Sequence, residues 1–251
     1  MEKIKKILNK ALPYLLILLF TLSGTYIVFL SGFGEGDDIY FHIANTYDKY
    51  VSIIEGKGLS GISSNLAQGL GSGNALFYSP LPHITVAIIG VIFKCFNMSI
   101  IGAFKLVIVL TVYISGVFMY HFAMHFTKGN RVASIFASAI YVIYPYRLFN
   151  AFCRFAFAEA YAALFIPLFF MGLYDLATMD KDNIKITPFV EIILGGSLLY
   201  LSHNITGLYI FLAAIIYLLC NIKGLIKLFT KKRFIAYAMS SVILLVSISS
   251  V

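Results

Sequence analysis

The pattern of apolar and polar positions divides the chain into long apolar runs separated by short polar breaks. The runs occupy residues 11–30, 83–96, 101–126, 132–146, 157–178, 188–220 and 234–251. A helix that crosses a bilayer needs about 20 mostly apolar residues, and several of these runs reach that length. The pattern therefore predicts an all-α fold, a polytopic transmembrane helical bundle with about seven spans.

One long stretch, residues 32–80, is too polar and too rich in glycine to lie inside a bilayer, and we interpret 32–100 as a large first external loop with interfacial helices. Within it, Asp38 to Ile54 has the pattern of an amphipathic helix. Its apolar stripe is Ile39, Ile43, Tyr47, Tyr50 and Ile54, and its polar stripe is Asp38, His42, Asn45, Lys49 and Ser52. Such a helix is expected to lie along the membrane surface.

Composition narrows the class of protein further. The chain is 60% hydrophobic and only 12% charged, which excludes an ordinary soluble domain. Its net charge of +8 comes largely from lysines and arginines that flank the first and last apolar runs. That placement is typical of cytoplasmic loops and does not suggest nucleic-acid binding. We therefore expect a multi-pass protein of the bacterial cytoplasmic membrane with a cytoplasmic N-terminus.

The topology depends on residues 83–96, which either cross the membrane or lie in the interface. The second arrangement is favoured by the run 188–220, because as one helix it would be about 50 Å long in a hydrocarbon core of about 30 Å. This run is then expected to split into two spans near His203, and residues 147–159 face the same side as the first loop. The last run continues to residue 251, so we expect residues 1–251 to be the N-terminal part of a longer, truncated transmembrane domain.

Residue types that often bind metals occur in patterns that do not favour a metal site. Cys95, Cys153 and Cys220 are far apart in apolar surroundings, and we expect them to be small buried hydrophobic side chains. His121 and His125 are four residues apart, but no third ligand lies nearby in the sequence. We interpret both as interfacial histidines.

The first candidate site residues are Asp37, Asp38 and His42, at the start of the amphipathic helix. Asp38 and His42 are four residues apart and share one face of a helix, whereas Asp37 points about 100° away from Asp38. An aspartate at this place can also serve only as a helix cap. The pattern thus leaves two interpretations, a functional carboxylate or a cap.

Two further groups of polar residues interrupt apolar sequence. Arg147, Arg154 and Glu159 form one group, and an ionisable side chain inside a membrane segment is unfavourable by about 2.5–3.5 kcal/mol, so such residues tend to be paired and functional. Five positions on one helix separate Arg154 and Glu159 by about 140°, so each can instead pair with another helix. His203 and Asn204 form the second group, with hydrogen bonding between helices as the alternative.

Four motifs occur in order along the chain: GDDIYFHIANTYDKY, NLAQGLGSGNALFYSPLPHI, CRFAFAEAYAALFIPL and SHN. Together they resemble the integral-membrane glycosyltransferases of the GT-C superfamily, from about residue 10 to residue 220. The chain looks most similar to bacterial membrane proteins labelled "6-pyruvoyl-tetrahydropterin synthase-related". That label describes a soluble pterin enzyme, and no residue pattern in this chain suggests pterin chemistry.

The resemblance implies a function and roles for the candidate residues. The expected reaction transfers a sugar from a polyprenyl-phosphate-linked donor to a cell-envelope polymer or glycolipid on the outer face. A family motif Asp-x-x-Phe-His corresponds to Asp38, Phe41 and His42, with Asp37 as the second catalytic candidate. Substrate binding is expected from Arg154, Glu159, His203, Asn204, Tyr78 and Arg147. A divalent metal ion, if one is used, would be held by Asp38 and Glu159.

Two other classes of function fit parts of the pattern. A transporter or lipid flippase would place polar groups near the bilayer midplane between sequence repeats, but no repeat is visible and the first loop is large and acidic. A non-catalytic membrane scaffold with a degenerate GT-C fold is the third class. The sequence beyond residue 251 would discriminate best, because further spans and an extracytoplasmic domain would favour the enzyme.

Overall fold

Helices make up 77% of the molecule in the computed structural model. The structure describes residues 2–30, 36–59, 61–226, 228–229, 232 and 234–239, and no strand occurs among them. An isolated β-bridge joins Ser63 to Ser72 in the glycine-rich loop. The expectation of an all-α fold is confirmed.

Twelve α-helices are present in the described part of the chain. They are α1 (Glu2–Gly24), α2 (Ile39–Ile54), α3 (Asn74–Phe77), α4 (Leu81–Lys94), α5 (Ile100–Phe126), α6 (Arg131–Ile143), α7 (Pro145–Phe152), α8 (Phe157–Ala162), α9 (Ile166–Ala177), α10 (Thr187–Ser202), α11 (Asn204–Cys220) and α12 (Ile222–Ile226).

In the part of the chain that the structure describes, four helical segments are long and apolar enough to cross a membrane, judged by length and composition. They are Lys5–Gly24, Ile100–Phe126, Arg131–Phe152 and Phe157–Ala177. The apolar helices α4, α10 and α11 are shorter. A membrane protein is therefore indicated, whereas the expected number of about seven spans stays a prediction. Most of the last apolar run, residues 240–251, lies outside the described residues.

The first helix differs from its expected bounds because it begins before the apolar run. The lysine-rich residues 2–10 are helical, and a 3₁₀ turn, Tyr26–Phe29, follows the helix end at Gly24. Hydropathy marks the part of a helix that lies in apolar surroundings and not its end, since lysine is itself a good helix former. Helix α1 packs on α5 and α6, where a side chain on Gly116 would come within 2.7 Å of Ile17.

The run 188–220 splits at His203, as expected. Helix α10 ends at Ser202, His203 has extended backbone angles, and α11 begins at Asn204. The ring nitrogen Nδ1 of His203 accepts a hydrogen bond of 3.3 Å from the backbone N–H of Thr206. His203 therefore caps α11 with its side chain, which explains why the chain breaks at this residue.

Helix α2 occupies nearly the predicted residues, but its polar stripe faces the protein interior. His42, Asn45, Lys49 and Ser52 are all buried, while Tyr47 is 53% exposed on the apolar stripe. An interfacial helix on a free surface would turn these faces the other way. Because α2 packs on α4 and its start on the turn after α7, the polar stripe lies in a protein-lined interior and not in water.

A large hydrophobic core supports this end of the molecule. It includes Ile39 of α2, Val86 of α4, Phe104 of α5, Phe157 of α8 and Leu199 of α10. Each of these side chains is at most 5% exposed. Five helices that are distant in sequence are thereby fixed relative to one another, and the candidate residues lie on them or beside them.

Candidate functional site

The first and third motifs meet where α2 begins. The backbone N–H of Asp38 donates a hydrogen bond of 3.0 Å to the carbonyl oxygen of Arg154. Just before it, a side chain on Gly36 would come within 2.8 Å of Phe155 Cβ, so this approach requires glycine. Phe155 itself has a positive φ of 56°, a conformation that non-glycine residues rarely adopt. The two chain segments are therefore joined through backbone contacts.

The cap interpretation of Asp38 is wrong for its side chain. Asp38 occupies the position before the first residue of α2, but its carboxylate makes no capping hydrogen bond. Asp37 is exposed and Asp38 is partly buried. The carboxylate of Asp38 is thus not used to cap the start of α2. It lies close enough to Tyr78 to influence that side chain electrostatically.

A buried group of aromatic side chains, which we call the histidine cluster, consists of His42, His83 and Tyr78. His42 Nδ1 lies 3.0 Å from His83 Nε2, and the two rings are stacked with centroids 5.2 Å apart. Which nitrogen donates depends on the tautomers. The ring of Tyr78 lies 6.1 Å from that of His42 and 6.0 Å from that of His203.

Burial controls the protonation of this cluster. It lowers the pKa of His42 to about 4, with a smaller effect of His203 in the same direction. It raises the pKa of Tyr78 to about 12, and the negative charges of Asp38 and Glu159 contribute to that rise. His42 is therefore neutral and Tyr78 protonated at neutral pH. The negative charges of Asp38 and Glu159 therefore both act on Tyr78.

A second, more exposed group, the Glu159 cluster, consists of Tyr146, Asn150, Arg154 and Glu159. Glu159 Oε1 accepts hydrogen bonds from the Tyr146 hydroxyl at 2.8 Å and from Asn150 Nδ2 at 2.7 Å. Arg154 Nη1 lies 3.0 Å from Asn150 Oδ1 and 3.5 Å from Glu159 Oε2. The expectation that geometry disfavours an Arg154–Glu159 pair is wrong, because the chain turns at 153–156 and the two residues are not on one helix.

The fourth motif holds Tyr78 in place. The backbone N–H of Asn204 donates to Ser79 Oγ at 3.0 Å, and Ser79 Oγ donates to the carbonyl oxygen of Tyr200 at 2.9 Å. The side-chain amide of Asn204 donates to the carbonyl oxygen of Phe77 at 3.1 Å. Asn204 therefore bonds the residues on either side of Tyr78. Of His203 and Asn204, only His203 has its side chain against the histidine cluster, where its ring lies 6.0 Å from that of Tyr78.

His203 connects the two clusters electrostatically. Its pKa is lowered by burial, raised by the charge of Glu159 and lowered by that of Arg154. All the residues expected at the site except Asp37 and Arg147 are thus joined by contacts or electrostatic effects. Asp37 is exposed beside Asp38, and Arg147 is buried below the Glu159 cluster, where it lines a cavity together with Asn150 and Glu159.

Sequence analysis missed His83, which makes the closest side-chain contact to His42. It lies in the first turn of α4, within the motif that the resemblance uses, and it is 3% exposed. Its signal was the same as that of His203, a single histidine at the edge of an apolar run. His83 was not predicted because 41 positions separate it from His42.

The glycine-rich loop is fixed to the inner face of α2 by a second group of residues that sequence analysis did not single out. Asp48 and Lys49 form a buried ion pair of 3.4 Å. Asp48 Oδ1 accepts hydrogen bonds of 3.2 Å from the backbone and side chain of Asn65. Lys49 Nζ donates to Ser63 Oγ at 3.4 Å. Asp48 and Lys49 of α2 therefore position the loop that leads to Tyr78.

The residue types that commonly bind metals are found apart from one another or in pairs in the described part of the chain. Among the described residues, no group of three or more His, Cys, Asp or Glu side chains is arranged to hold a metal ion. A metal held by Asp38 and Glu159 stays a prediction. His121 contacts Tyr14, and His125 pairs with Asp175 at 2.8 Å. The three cysteines are exposed, which corrects the expectation that they are buried.

The arrangement combines a carboxylate, a neutral imidazole and a guanidinium around one region. A carboxylate can accept a proton from a hydroxyl group, and a guanidinium can stabilise negative charge on phosphate oxygens. The cavity beside the Glu159 cluster has a volume of about 260 Å³ and is lined in part by three tyrosines, Tyr141, Tyr144 and Tyr146. The site therefore has room for a small molecule next to the Glu159 cluster.

Comparison with known proteins gives one relative of this chain. It is described as "Uncharacterized protein" from Lactococcus lactis subsp. cremoris (strain MG1363) and is 25% identical over 209 residues. The match covers 82% of this chain and 33% of the relative, so the chain spans about a third of the relative's length. No family model matches the chain, and no solved structure matches it.

Proposed function

We propose that this protein is a membrane glycosyltransferase of the GT-C type. It transfers a sugar from a polyprenyl-phosphate-linked donor to a cell-envelope polymer or glycolipid on the outer face of the bacterial cytoplasmic membrane, with its N-terminus in the cytoplasm. The observation that carries the proposal is the assembly of Asp38, His42, Tyr78, Arg154, Glu159 and His203 from four separate segments at one end of the helical bundle.

The proposed chemistry uses the side chains as they are placed. The acceptor oxygen forms a bond to the anomeric carbon while the bond from that carbon to the phosphate oxygen breaks. Polyprenyl phosphate leaves with the electron pair, and the acceptor proton goes to the carboxylate of Asp38. Arg154 stabilises the charge that develops on the phosphate. His42, held neutral by burial, positions the acceptor beside Asp38.

The test compares Asp38→Asn with Asp37→Asn in membranes that contain the protein. The substrate is polyprenyl phosphate carrying a radiolabelled hexose, and the readout is label in the envelope fraction. Asp38→Asn should reduce transfer at least 100-fold because the base is lost, without reducing the amount of inserted protein. Asp37→Asn should have a much smaller effect, because Asp37 is exposed and does not share the face of His42.

Two outcomes contradict the proposal in different ways. An inactive Asp37→Asn variant beside an active Asp38→Asn variant would reverse the assignment of the base. Full transfer by both variants would indicate a non-catalytic scaffold or a transporter, in which neither carboxylate takes a proton during group transfer.

A further inference from the structure

The cavity beside the Glu159 cluster lies between two segments that are long and apolar enough to cross a membrane. Three tyrosines line it from the segment Arg131–Phe152, and Ile166 lines it from the segment Phe157–Ala177. Two of these tyrosines, Tyr144 and Tyr146, are more than half exposed. Tyrosine is enriched where a membrane-spanning segment meets the lipid headgroups. This position suits a ligand that enters from the bilayer.

The uncharged polar groups of the lining bond mainly to other protein groups. The Tyr141 hydroxyl donates to the carbonyl oxygen of Ala163 at 2.6 Å, and the Thr206 hydroxyl lies 2.7 Å from His203 Nδ1. The Tyr144 hydroxyl has no partner among the described residues, and this side chain is 53% exposed. The hydroxyls of Tyr141 and Thr206 are therefore already occupied by protein partners.

The charged side chains of the lining are also unavailable to a ligand inside the cavity. Glu159 Oε1 accepts hydrogen bonds from Tyr146 and Asn150, and its Oε2 lies 3.5 Å from Arg154 Nη1. Arg147 is 5% exposed, and its unpaired Nε and Nη1 are fully buried. The inner surface thus consists mainly of ring faces and hydrocarbon. A polar ligand would lose hydrogen bonds to water without replacing them, whereas a hydrocarbon chain loses none.

The size of the cavity indicates how much of a chain it holds. An apolar cavity of about 150 Å³ binds one benzene molecule. At the same density, a cavity of about 260 Å³ has room for roughly ten carbon atoms, or about two isoprene units. That space takes part of one chain and not the paired chains of a phospholipid. The flat isoprene units can pack on the flat apolar faces of the tyrosine rings.

Arg154 supplies a place for a phosphate beside this cavity. Its Nη1 bonds to Asn150 and Glu159, which both line the cavity. Its Nε and Nη2 have no partner among the described residues, and the side chain is 38% exposed. An accessible guanidinium binds phosphate oxygens through charge-assisted hydrogen bonds. A phosphate attached to an apolar chain would use both features, whereas free phosphate would leave the cavity unfilled.

We propose that this cavity binds the first isoprene units of a single-chain lipid phosphate whose phosphate lies at Arg154. The inference rests on the proposed function, from which it takes the phosphate role of Arg154, and it specifies where the chain of the donor lies. The binding is non-covalent and does not involve Asp38, so it is measurable without sugar transfer.

The test uses a single tryptophan as reporter, because the chain contains none. Tyr144→Trp places it on the cavity wall. The protein is placed in nanodiscs of phosphatidylcholine with brominated chains, which quench tryptophan. Geranylgeranyl phosphate should raise the fluorescence to a plateau, because it replaces brominated chains in the cavity. The matched ligand geranylgeraniol, which lacks the phosphate, should need about tenfold more for the same rise, since it loses the bonds to Arg154.

Three variants locate the response. Ile140→Trp, one turn earlier on α6 and 63% exposed, is the control reporter and should show no plateau. Ala163→Leu, made together with Tyr144→Trp, fills the cavity and should remove the rise. Arg154→Gln with the same reporter should raise the half-saturating concentration of geranylgeranyl phosphate by about tenfold and leave that of geranylgeraniol unchanged.

Each other outcome overturns the inference. An equal response to geranylgeraniol means that Arg154 does not hold the phosphate. A plateau at Ile140→Trp means that the probe only dilutes the brominated lipid, and no rise at Tyr144→Trp means that the chain does not enter the cavity. If Ala163→Leu does not fold, the two ligands and two reporters decide. Asp38-dependent transfer without a rise would leave the proposed function standing, whereas a saturable rise without transfer would leave only this inference.

Discussion

The histidine cluster and the Glu159 cluster lie close together but are assembled in opposite ways. The hydrogen bonds of the Glu159 cluster join residues that are at most 13 positions apart. The contact between His42 and His83 joins residues 41 positions apart, and the Ser79–Asn204 contact that holds Tyr78 in place spans 125 positions. One cluster is therefore made by a local turn, and the other exists only once the helices have packed.

The two clusters also differ in how they handle charge. The side chains of Arg154 and Glu159 are 38% and 23% exposed, so water and opposite charge both stabilise them. His42 and His83 are 1% and 3% exposed, and burial lowers the pKa of His42 until it is neutral near pH 7. The more exposed cluster therefore carries opposite charges, whereas the buried cluster is neutral.

The largest expected effect is in a labelling experiment that determines which side of the membrane the clusters face. Both clusters must face the outside if they bind an envelope acceptor. Cys153 is a suitable labelling position because it is exposed and directly precedes Arg154. A cysteine introduced at Asn150 would be a poor choice, because Asn150 is only 2% exposed. In a variant with Cys95 and Cys220 replaced by alanine, a membrane-impermeant maleimide should label Cys153 in intact cells.

The matched control is Lys181→Cys in a background that lacks all three native cysteines. Lys181 is exposed in the turn between α9 and α10, which the interfacial topology places in the cytoplasm. It should be labelled only after lysis. The reverse result at both positions would place the Glu159 cluster on the cytoplasmic side and remove Arg154 from the proposed site.

The next largest effect is expected for Arg154. Arg154→Ala should lower transfer by about 100-fold or more, because stabilisation of the leaving phosphate is lost. Arg154→Lys should weaken use of the donor more than use of the acceptor, since lysine keeps the charge but not the planar fork. The rate is measured against donor and acceptor concentration, together with the yield of folded protein.

If Arg154 serves only as the structural partner of Glu159, the same variants behave differently. Arg154→Ala and Glu159→Ala would then both lower the yield, and exchange of the two residues would partly restore it. Normal transfer by Arg154→Ala would exclude the phosphate role.

A smaller effect is expected for Glu159→Gln. The amide still accepts hydrogen bonds from Tyr146 and Asn150 but no longer carries the charge opposite Arg154. The stability should fall by less than about 1 kcal/mol because the pair is partly exposed, while transfer should fall by about tenfold. Glu55→Gln, at an exposed pair with Lys57, is the control and should change neither quantity. A loss of folding without a specific loss of transfer would make Glu159 a purely structural residue.

The difference between the clusters explains what sequence analysis could predict. The break at His203, the extent of α2 and the polar group around Arg154 follow from local patterns, because a helix period or an ionisable residue in apolar sequence is visible within a few positions. The Arg154–Glu159 contact was misjudged only because the turn at Phe155 is not a helix. Nothing local marks it, since phenylalanine rarely adopts a positive φ.

The histidine cluster depends on tertiary packing and was only half predicted. His42 stood out by its spacing to Asp38. His83 lies at the edge of an apolar run, as His203 does, but nothing in the sequence pairs it with His42. The buried Asp48–Lys49 pair has no local signal that distinguishes it from surface residues. The same limit applies to the orientation of α2. The polar stripe of α2 predicted a face exposed to water. A helix face that packs in a polar protein interior has the same amphipathic pattern.

The smallest effect concerns acid stability, and it tests whether the histidine cluster is neutral as the comparison requires. The pKa of His42 falls from its ordinary value of 6.5 to about 4 on folding, mainly through burial. On acidification the unfolded chain therefore binds a proton before the folded protein does. The contribution of His42 to stability is complete above about pH 6.5 and is lost as the pH falls towards 4. The folding equilibrium constant decreases by at most tenfold per pH unit in this range.

The variant His42→Gln isolates this contribution. Glutamine can still bond to His83 but does not titrate, so the difference in denaturation midpoint between the two proteins should be constant above pH 7 and should shrink between pH 6.5 and 4. Protonation of carboxylates also changes stability in this range, but it affects both proteins and cancels in the difference. His83, Tyr78 and His203 face His42 and are retained in both. A difference that stays constant down to pH 4 would mean that His42 is hydrated, and the two clusters would then not differ in the way that burial predicts.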